Sequence, residues 1–284
     1  MAIIIDGGKI AQDIRNEVRL AVQQIKEKNG IAPGLAVILV GDDPASRVYV
    51  GKKAQDCAEV GFLSRVEKLP SDTGENKLLH LIKELNADKA IHGILVQLPV
   101  PKQINTEKII EAIDPCKDVD GFHPYNVGRL VAGSPDRPSC TPYGIMELLD
   151  RSGVAIAGKE AVIVGRSNIV GKPMALMLLA RHATITVCHT KTKDLAAVTR
   201  RADILVAAAG KEAMIRGDMV KDGVVVIDVG TNRSREGKLV GDVAFAEVAP
   251  RASYITPVPG GVGPMTRAML MKNTLKAAQS IIAG

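Results

Sequence analysis

The sequence contains very few aromatic residues. Tryptophan is absent, and aromatic side chains make up 2% of the 284 residues. Basic residues outnumber acidic residues by 37 to 31, which gives a formal net charge of +6, but they are dispersed along the chain. Proteins that bind nucleic acid combine clustered basic residues with aromatic stacking platforms. We therefore expect no nucleic-acid partner.

Cysteine is also scarce, and no apolar run is long enough to cross a bilayer. The N-terminal residues 1–6 have neither the basic nor the apolar segment of a signal peptide, so no membrane association is expected. No C-x-x-C or Cys/His spacing suggests a zinc site, and we expect no metal ion. The four cysteines are far apart, and we expect reduced thiols of a cytoplasmic protein at Cys57, Cys116, Cys140 and Cys188.

One strand–turn–helix pattern lacks the usual G-x-G-x-x-G spacing and still favours phosphate binding. The apolar run 161–164 stops at Gly165. A polar turn with Arg166 and Ser167 follows, and Gly171 precedes a helix-like stretch. A buried strand that leads into such a helix start offers free N–H groups and glycines that let a phosphate approach. A glycine-rich turn in any α/β domain would fit the local pattern equally well.

The next strand lacks the acidic residue that usually holds the ribose of NAD. The predicted strand 183–188 is followed by His189, Thr190 and Lys191, with Lys193 close behind. In an NAD-binding Rossmann unit a carboxylate at this point binds the ribose hydroxyls. A hydroxyl, two lysines and the arginine of the first turn suit a 2′-phosphate instead, so we predict NADP as the cofactor. Alternatively, the lysines are solvated loop charges.

Strand-like and helix-like segments alternate along the chain, which predicts an α/β fold with two domains and mostly parallel sheets. The segment 114–142 is rich in proline, glycine and aspartate, and we expect a loop there. We place an N-terminal α/β domain at 1–140 plus 265–284, because the last predicted helix returns to it, and a Rossmann-like NADP-binding domain at 141–264. Helices are expected at 8–29, 46–60, 76–85, 106–113, 174–181 and 265–282. Strands are expected at 35–40, 66–69, 91–97, 161–164, 183–188, 204–207 and 224–229.

Tyr49 and Lys53 stand four residues apart on a predicted helix and share one face. A phenol and an amine held together form an acid/base pair if burial or a neighbour lowers the pKa of the lysine. Short-chain dehydrogenases use the same Y-x-x-x-K spacing, but there it follows the cofactor-binding glycines, whereas here it precedes them. Alone, such a pair most often lies on the protein surface and has no catalytic role. Gln97 favours the functional interpretation, since it ends a strand where α/β sheets place ligands.

Asp118 and Asp120 lie in the long loop between the predicted domains. Ordered loops often carry function, and a carboxylate there could accept two hydrogen bonds from an amidine-like edge such as that of a pterin. Ordinary turn chemistry is the alternative, and we expect it for at least one of the two residues.

Five motifs occur in a characteristic order, at 44–53 (PASRVYVGKK), 93–101 (GILVQLPVP), 117–123 (KDVDGFH), 165–173 (GRSNIVGKP) and 257–266 (PVPGGVGPMT). With them the chain closely resembles the bifunctional methylenetetrahydrofolate dehydrogenase/methenyltetrahydrofolate cyclohydrolase (FolD) family. The resemblance covers nearly all of the chain. It implies that Lys53 is the catalytic lysine, that Tyr49 lies against the folate, that Gln97 tunes Lys53 and that Asp120 anchors the pterin.

The resemblance also implies that Pro257 and Gly261 close one side of the folate site. The residues that it implies for the NADP site are Gly165, Arg166, Ser167, Gly171, His189, Thr190 and Thr231. Thr190 departs from the family, which more often has serine there, but it keeps the hydroxyl group.

The implied activity is NADP-dependent oxidation of 5,10-methylenetetrahydrofolate to the methenyl form and hydrolysis of that form to 10-formyltetrahydrofolate. Positioning dominates the hydride step, whereas the hydrolysis needs proton transfer, for which Lys53 is the implied agent. The implied partners are reduced folates and a second copy of the chain in a homodimer. Two alternatives stay open, an NADP-dependent dehydrogenase without hydrolase activity and a non-catalytic NADP-binding module.

Overall fold

A computed structural model describes residues 2–234 and 236–282, which form two compact units. The six-strand unit consists of the residues up to Ala11 together with Thr141–Thr266. The three-strand unit consists of Gln12–Cys140 together with the residues from Arg267 onward. Both units combine helices with parallel strands, so the predicted α/β class is confirmed.

The elements are numbered in chain order. The helices are α1 Gly7–Asn29, α2 Pro44–Val60, α3 Glu75–Ala87, α4 Thr106–Ala112, α5 Pro124–Val131, α6 Cys140–Arg151, α7 Gly171–Ala180, α8 Leu195–Thr199, α9 Phe245–Val248 and α10 Val262–Ile282. The strands are β1 Ile3–Ile4, β2 Gly34–Val40, β3 Leu63–Leu69, β4 Gly93–Val96, β5 Glu160–Val164, β6 Thr184–Cys188, β7 Ile204–Ala207, β8 Val224–Asp228, β9 Asn232–Arg233, β10 Leu239–Val240 and β11 Ala252–Ile255. Of the helices in the described residues, none is both long and apolar enough to span a membrane.

The sheet of the six-strand unit has the order β1-β11-β8-β7-β5-β6, and its strands pair in parallel. Strands β7 and β8 are buried along their whole length, as expected for β-branched runs in a parallel sheet. Strand β5 lies between β6 and β7, although both follow it in the chain, so the strand order reverses at β5. Open α/β sheets bind ligands at the carboxyl ends of the strands beside such a reversal.

The sheet of the three-strand unit has β2 at its centre, with β3 and β4 paired to it in parallel. All seven residues of β2 are buried, which its apolar run predicts. Helix α3 covers this sheet with Leu78, Ile82 and Leu85, which pack in one cluster with Ile38 and Ile94. The spacing of the three α3 residues places them on one helical face. Because β2 and β4 are parallel neighbours, the residues that follow these two strands emerge at the same edge of the sheet.

The C-terminal helix belongs in large part to the three-strand unit. From Arg267 onward, α10 groups with Gln12–Cys140. Asn273 of α10 is 1% exposed, and its Nδ2 donates hydrogen bonds to Val119 O at 2.9 Å and to Pro138 O at 3.0 Å. The prediction that the last helix returns to the N-terminal domain is confirmed.

The first residues of the chain group differently from the predicted division at 1–140. Strand β1 pairs in parallel with β11, with Ile3 opposite Tyr254, and the Ile5 N–H donates to Ile255 O at 2.9 Å. These bonds extend the sheet of the six-strand unit by one strand. No local sequence pattern predicts this pairing, because β1 is two residues long and its partner lies about 250 residues away.

The predicted loop at 114–142 contains a helix, α5, and this part of the prediction is wrong. The Nδ1 atom of His123 accepts a hydrogen bond from the Tyr125 N–H at 3.0 Å, and Pro124 occupies the first turn. Capping by a histidine side chain is a weak sequence signal, whereas proline at a helix start is a common one. The short elements α8, α9, β9, β10 and β11 were also not predicted.

Candidate active site and dinucleotide site

Helix α2 carries Lys53 and has a well-defined start. Asp43 Oδ2 accepts a hydrogen bond from the Ser46 N–H at 2.7 Å, and Pro44 fixes the backbone of the first turn. This start places Lys53 on the buried side of the helix, where the residue is 8% exposed. A buried lysine needs a polar partner, because an isolated charge is costly to remove from water.

Gln97 is the partner of the Lys53 amine. Lys53 Nζ donates to Gln97 Oε1 at 2.9 Å. Gln97 directly follows β4, and its backbone N–H donates to Ile38 O at 2.8 Å. Its side-chain Nε2 donates to Leu98 O at 2.8 Å, which fixes the amide so that the oxygen faces the amine. The amine can donate to this oxygen in both its charged and its neutral form.

Asp118 has the turn role that the sequence left open. It is 2% exposed and accepts hydrogen bonds from the backbone N–H groups of Gly121 at 3.1 Å and His123 at 2.9 Å, and from Asn126 Nδ2 at 2.8 Å. Gly121 has φ +75°, and a Cβ there would lie 2.6 Å from Arg137 O. Asp118 and Gly121 thus shape the loop on which Asp120 stands.

Asp120 is half-buried and has a perturbed carboxyl group. Burial raises its pKa to about 6, the Asp118 charge adds to this shift, and the Lys53 charge opposes it. Burial likewise lowers the pKa of Lys53, and the nearby Asp120 opposes that shift. The titration ranges of the two groups therefore lie closer together than those of an ordinary carboxylate and amine. Such a pair is typical of an acid/base site.

An apolar pocket explains why Asp120 is poorly hydrated. Its lining consists of Ile94, Leu95, Val96, Leu98, Ile110, Ile113, Asp118, Asp120 and Phe122. Most of these side chains offer no hydrogen bond, so they favour the neutral form of a carboxyl group.

Tyr49 and Cys140 complete the surroundings of Lys53. Tyr49 precedes Lys53 by one turn of α2 and is 38% exposed, so its ring offers a surface for a flat ligand. Cys140 is buried, and its Sγ donates to Val119 O at 3.2 Å. Burial raises the pKa of Cys140 well above its usual range, so the thiol stays neutral and is a poor nucleophile.

In the six-strand unit, two glycines hold the turn after β5 close to its neighbours. Gly165 has φ +133°, and a Cβ there would collide with Ala208 O, which follows β7. A Cβ at Gly171 would collide with Gly165 O. Ser167 Oγ accepts a hydrogen bond from the Val170 N–H at 3.1 Å and so fixes the turn before α7. The backbone therefore forms a cradle at the point where the strand order reverses, and a side chain at either glycine would fill it.

The corner after β6 offers hydroxyl and basic groups. His189 Nδ1 accepts a hydrogen bond from the Lys191 N–H at 3.1 Å, and Thr190 is exposed. The next carboxylate, Asp194, is engaged as the cap of α8, where it accepts from the Ala197 N–H at 3.1 Å. Within 189–193 no acidic residue competes with an added phosphate. The residues present therefore fit a 2′-phosphate dinucleotide better than one with a free ribose hydroxyl.

Two further predicted cofactor residues also follow strands of this sheet. Arg166 lies in the turn after β5 and Thr231 follows β8, and both are exposed. Strands β5 and β8 are parallel members of one sheet, so both residues stand at its carboxyl edge.

Asp242 organises two loops at the same edge and was missed by the sequence analysis. It is fully buried, and its Oδ2 accepts from the N–H groups of Ala209 at 2.6 Å and Gly210 at 2.9 Å. Its Oδ1 accepts from the Lys211 N–H at 2.9 Å and from Asn232 Nδ2 at 2.8 Å. One carboxylate thereby fixes the loops that follow β7 and β8.

Asp228, the last residue of β8, binds the backbone of Asp242. It accepts hydrogen bonds from the N–H groups of Gly230, Asp242 and Val243 at 2.9, 2.8 and 3.0 Å. Burial raises its pKa to about 6, against the effect of these bonds. An acidic residue at the end of a buried apolar strand is the sequence signal for this role.

Pro257 and Gly261 lie between β11 and α10, in the six-strand unit. A Cβ at Gly261 would lie 2.6 Å from Pro257 O, and a Cβ at Gly7 would collide with Gly261 O. The loop is thus packed tightly against the start of α1. Lys53, Gln97 and Asp120 come together in the three-strand unit, whereas the predicted NADP residues stand in the six-strand unit. No group of three or more His, Cys, Asp or Glu residues in the described chain could hold a metal ion.

Solved structures of similar proteins cover almost the whole chain. The bifunctional FolD methylenetetrahydrofolate dehydrogenase/cyclohydrolase of Campylobacter jejuni has 53% sequence identity and a TM-score of 0.97, with 99% of each chain covered. The FolD enzyme of Trypanosoma brucei, solved with NADP and an inhibitor, has 40% identity and a TM-score of 0.96, with 100% of this chain and 99% of that chain covered. The shikimate dehydrogenase of Thermus thermophilus, at 15% identity and a TM-score of 0.54, shares the fold alone.

Sequence comparisons agree with this likeness. The bifunctional protein FolD of Pelobacter propionicus is 60% identical over 279 residues, which cover 98% of both chains. The model of the tetrahydrofolate dehydrogenase/cyclohydrolase catalytic domain matches residues 5–120, and that of the corresponding NAD(P)-binding domain matches residues 139–282. The resemblance drawn from the five motifs is thereby confirmed, and the chain belongs to the tetrahydrofolate dehydrogenase/cyclohydrolase family.

Proposed function

We propose that the protein oxidises 5,10-methylenetetrahydrofolate with NADP and hydrolyses the methenyl product to 10-formyltetrahydrofolate, with Lys53 as the acid/base of the hydrolysis. Membership of a family whose relatives carry both activities supports the two reactions. The observation that supports the role of Lys53 is its buried amine, held by Gln97 and opposed in charge by Asp120. The protein is thus proposed to be a bifunctional enzyme. An NADP-dependent dehydrogenase without hydrolase activity would show only the first reaction, and a non-catalytic NADP-binding module would show neither.

The hydride step depends on positioning. NADP, when bound, supplies the acceptor for the hydride that leaves the folate methylene bridge. The backbone cradle at Gly165 and Gly171 suits the dinucleotide phosphates, and Arg166 and Thr190 suit the 2′-phosphate. Nitrogen lone pairs on the folate stabilise the developing cation, so this step asks the protein for geometry rather than for a proton.

The hydrolysis step asks for proton transfer. Water adds to the methenyl carbon, and the proton that it loses passes to the neutral amine of Lys53. The new hydroxyl group then loses its proton to form the formyl carbonyl, the bond from carbon to N5 breaks, and N5 gains a proton. One proton is released to solvent overall. The lowered pKa of Lys53 increases the share of neutral amine that can accept the first proton.

Asp120 and Tyr49 are the proposed folate-binding residues of the three-strand unit. The Asp120 carboxylate can accept two hydrogen bonds from the amino-pyrimidine edge of a pterin. The exposed Tyr49 ring suits stacking against the substrate. The roles that the resemblance implies for Pro257 and Gly261 stay predictions. With the assignments of Asp120 and Tyr49, folate binding lies in the three-strand unit, and with those of Arg166 and Thr190, cofactor binding lies in the six-strand unit.

A homodimer formed through the six-strand unit is a further part of the proposal. Strand β6 is an edge strand of the sheet, and Val187 on it is 37% exposed. Helix α7 beside it is apolar and leaves Leu179 56% exposed. An unpaired edge and exposed apolar side chains favour association of two copies. Sedimentation equilibrium at micromolar concentration tests this, and a monomer mass would contradict it.

A cytoplasmic location is the last part of the proposal. The four cysteines are unpaired, and Cys116 is exposed, which suits a reducing compartment. Measuring the thiols that react with Ellman's reagent in protein taken directly from the native cell tests this. Disulfide-linked cysteines in that protein would contradict it.

Replacing Arg166 by alanine is expected to weaken NADP binding by about 1–3 kcal/mol, the range for a hydrogen bond to a charged group, and to affect NAD far less. Calorimetric titration with both cofactors measures this. Arg200→Ala removes the same charge at the other end of the strands, beside the start of β7, and is expected to change neither affinity. Equal losses for NADP and NAD in Arg166→Ala would contradict the assignment.

Replacing Asp120 by alanine is expected to raise the KM for folate strongly and to leave NADP affinity of the free enzyme unchanged. In the parent enzyme the folate KM should rise as the pH falls through about 6, because the carboxylate becomes protonated there. Asp120→Asn should lose this pH dependence, while the exposed Asp72→Asn control should keep it. A normal folate KM with impaired NADP binding would show the pterin assignment to be wrong.

Replacing Lys53 by methionine keeps much of the side-chain volume and removes the amine. Cyclohydrolase activity is expected to fall at least ~100-fold, the lower range for loss of a general acid/base. Dehydrogenase activity should fall less, so methenyltetrahydrofolate should accumulate, which its absorbance reports. Lys52→Met, at the exposed neighbouring lysine, is the matched control and should retain both activities. Full hydrolase activity in Lys53→Met would refute the role of Lys53.

A further inference from the structure

A buried cluster of charges lies beside Lys53, where α1, α2 and α10 meet. Its members are Arg15 of α1, Asp56 of α2 and Arg267 of α10, and Glu59 of α2 stands at its rim. Asp56 is 4% exposed and Arg15 is 9% exposed. Burying an ion pair costs desolvation energy and does not by itself stabilise a fold, so such a cluster calls for another explanation.

The contacts in the cluster are unequal. Arg267 Nη1 lies 2.7 Å from Asp56 Oδ2, which is a charged hydrogen bond. Arg15 Nε lies 3.9 Å from Asp56 Oδ1 and donates instead to Glu59 Oε2 at 3.0 Å. Asp56 is therefore primarily the partner of Arg267, and Arg15 supplies a second, more distant positive charge. Burial raises the pKa of Asp56, and both arginines oppose that shift, Arg267 more than Arg15.

Asp56 lies on the turn of α2 from which Lys53 projects, and Arg267 contacts this turn. Asp56 follows Lys53 by three residues and so shares its helical face. Arg267 Nη1 also approaches the carbonyl oxygen of Lys52 at 3.4 Å. One guanidinium group thus contacts α2 immediately before and one turn after Lys53, and it joins this turn to α10.

We propose that Asp56 and Arg267 are a positioning pair for Lys53. The pair holds the turn of α2 that carries Lys53 against α10, and it keeps two opposite charges balanced beside the Lys53 amine. The proposal rests on the role of Lys53 given above. Each charge alone would shift the pKa of the Lys53 amine, since a nearby cation disfavours the ammonium form and a nearby anion favours it. In the pair the two charges oppose each other, so burial remains the main cause of the lowered pKa of Lys53.

The other groups around the amine come from separate elements. Asp120 acts on it from the loop between α4 and α5, Cys140 from α6 and Cys57 from α2 itself. Arg267 is among the groups that lower the pKa of Lys53, after burial, which is the main cause. Because the variants below alter neither Asp120 nor the two thiols, a change in the titration of Lys53 reports on the Asp56–Arg267 pair.

Opposite shifts distinguish this role from simple packing. Arg267→Met leaves the Asp56 anion and should move the titration midpoint of Lys53 to higher pH, by about half a unit or more. Asp56→Asn leaves the Arg267 cation and should move it to lower pH by a similar amount. The double variant removes both charges and should return the midpoint close to that of the parent. Arg267→Lys keeps the charge and should not move it.

The measurement is carbon NMR of the full-length enzyme with ¹³C at the lysine ε position, and Lys53→Met identifies the resonance of Lys53. Arg19→Met, at an exposed arginine of α1, is the control for loss of a distant charge and should leave the midpoint unchanged. Cyclohydrolase assays on the same proteins should show their pH profiles moving in parallel with the midpoints.

Shifts in the same direction, or no shifts, in Arg267→Met and Asp56→Asn would overturn the proposal. If Asp56→Asn does not fold, the comparison of Arg267→Met with Arg267→Lys decides, because only loss of charge should move the midpoint. Failure of the proposed function is seen separately, as full hydrolase activity in Lys53→Met. The NMR midpoints test the pair in either case, since they report the amine and not turnover.

Discussion

The proposed active site depends on the removal of one lysine amine from water. Lys53 is 8% exposed, and its Nζ is bound to the fixed amide oxygen of Gln97. Burial alone would drive the amine towards its neutral form, and the Asp120 carboxylate limits that effect. The same burial raises the pKa of Asp120 to about 6. The proposed base, its hydrogen-bond partner and a counter-charge thus share one desolvated environment.

The fold maintains this environment through parallel strand ends and one returning helix. Gln97 stands at the end of β4 because its backbone is bonded to β2. Helix α10 reaches the two other parts of the site, since Asn273 binds the backbone beside Asp120 and Arg267 binds the turn of α2 that carries Lys53. Helix α10 therefore contacts both the helix that carries Lys53 and the loop that carries Asp120.

Local patterns predicted the parts of the protein whose signals lie within a few residues. Buried runs such as 161–164 and the glycines around them predicted strands and a phosphate-binding turn, and the five motifs predicted the family. Long-range pairings left no local signal, so the β1–β11 pairing and the cluster of Asp56 with Arg267 were not predicted. Asp242 was missed for the same reason, because its role depends on backbone groups that the chain brings to it from 31 to 33 residues away.

We propose that the desolvated Lys53 serves the hydrolysis and not the hydride transfer. The rates of both half-reactions, measured against pH on one preparation under saturating substrate, test this directly. The hydrolysis rate is expected to rise as a group that titrates below an ordinary lysine loses its proton, and the dehydrogenase rate is expected to show no such rise. Two pH profiles of the same shape would contradict this proposal. So would a hydrolysis rate that rises only at the pH at which an exposed lysine loses its proton.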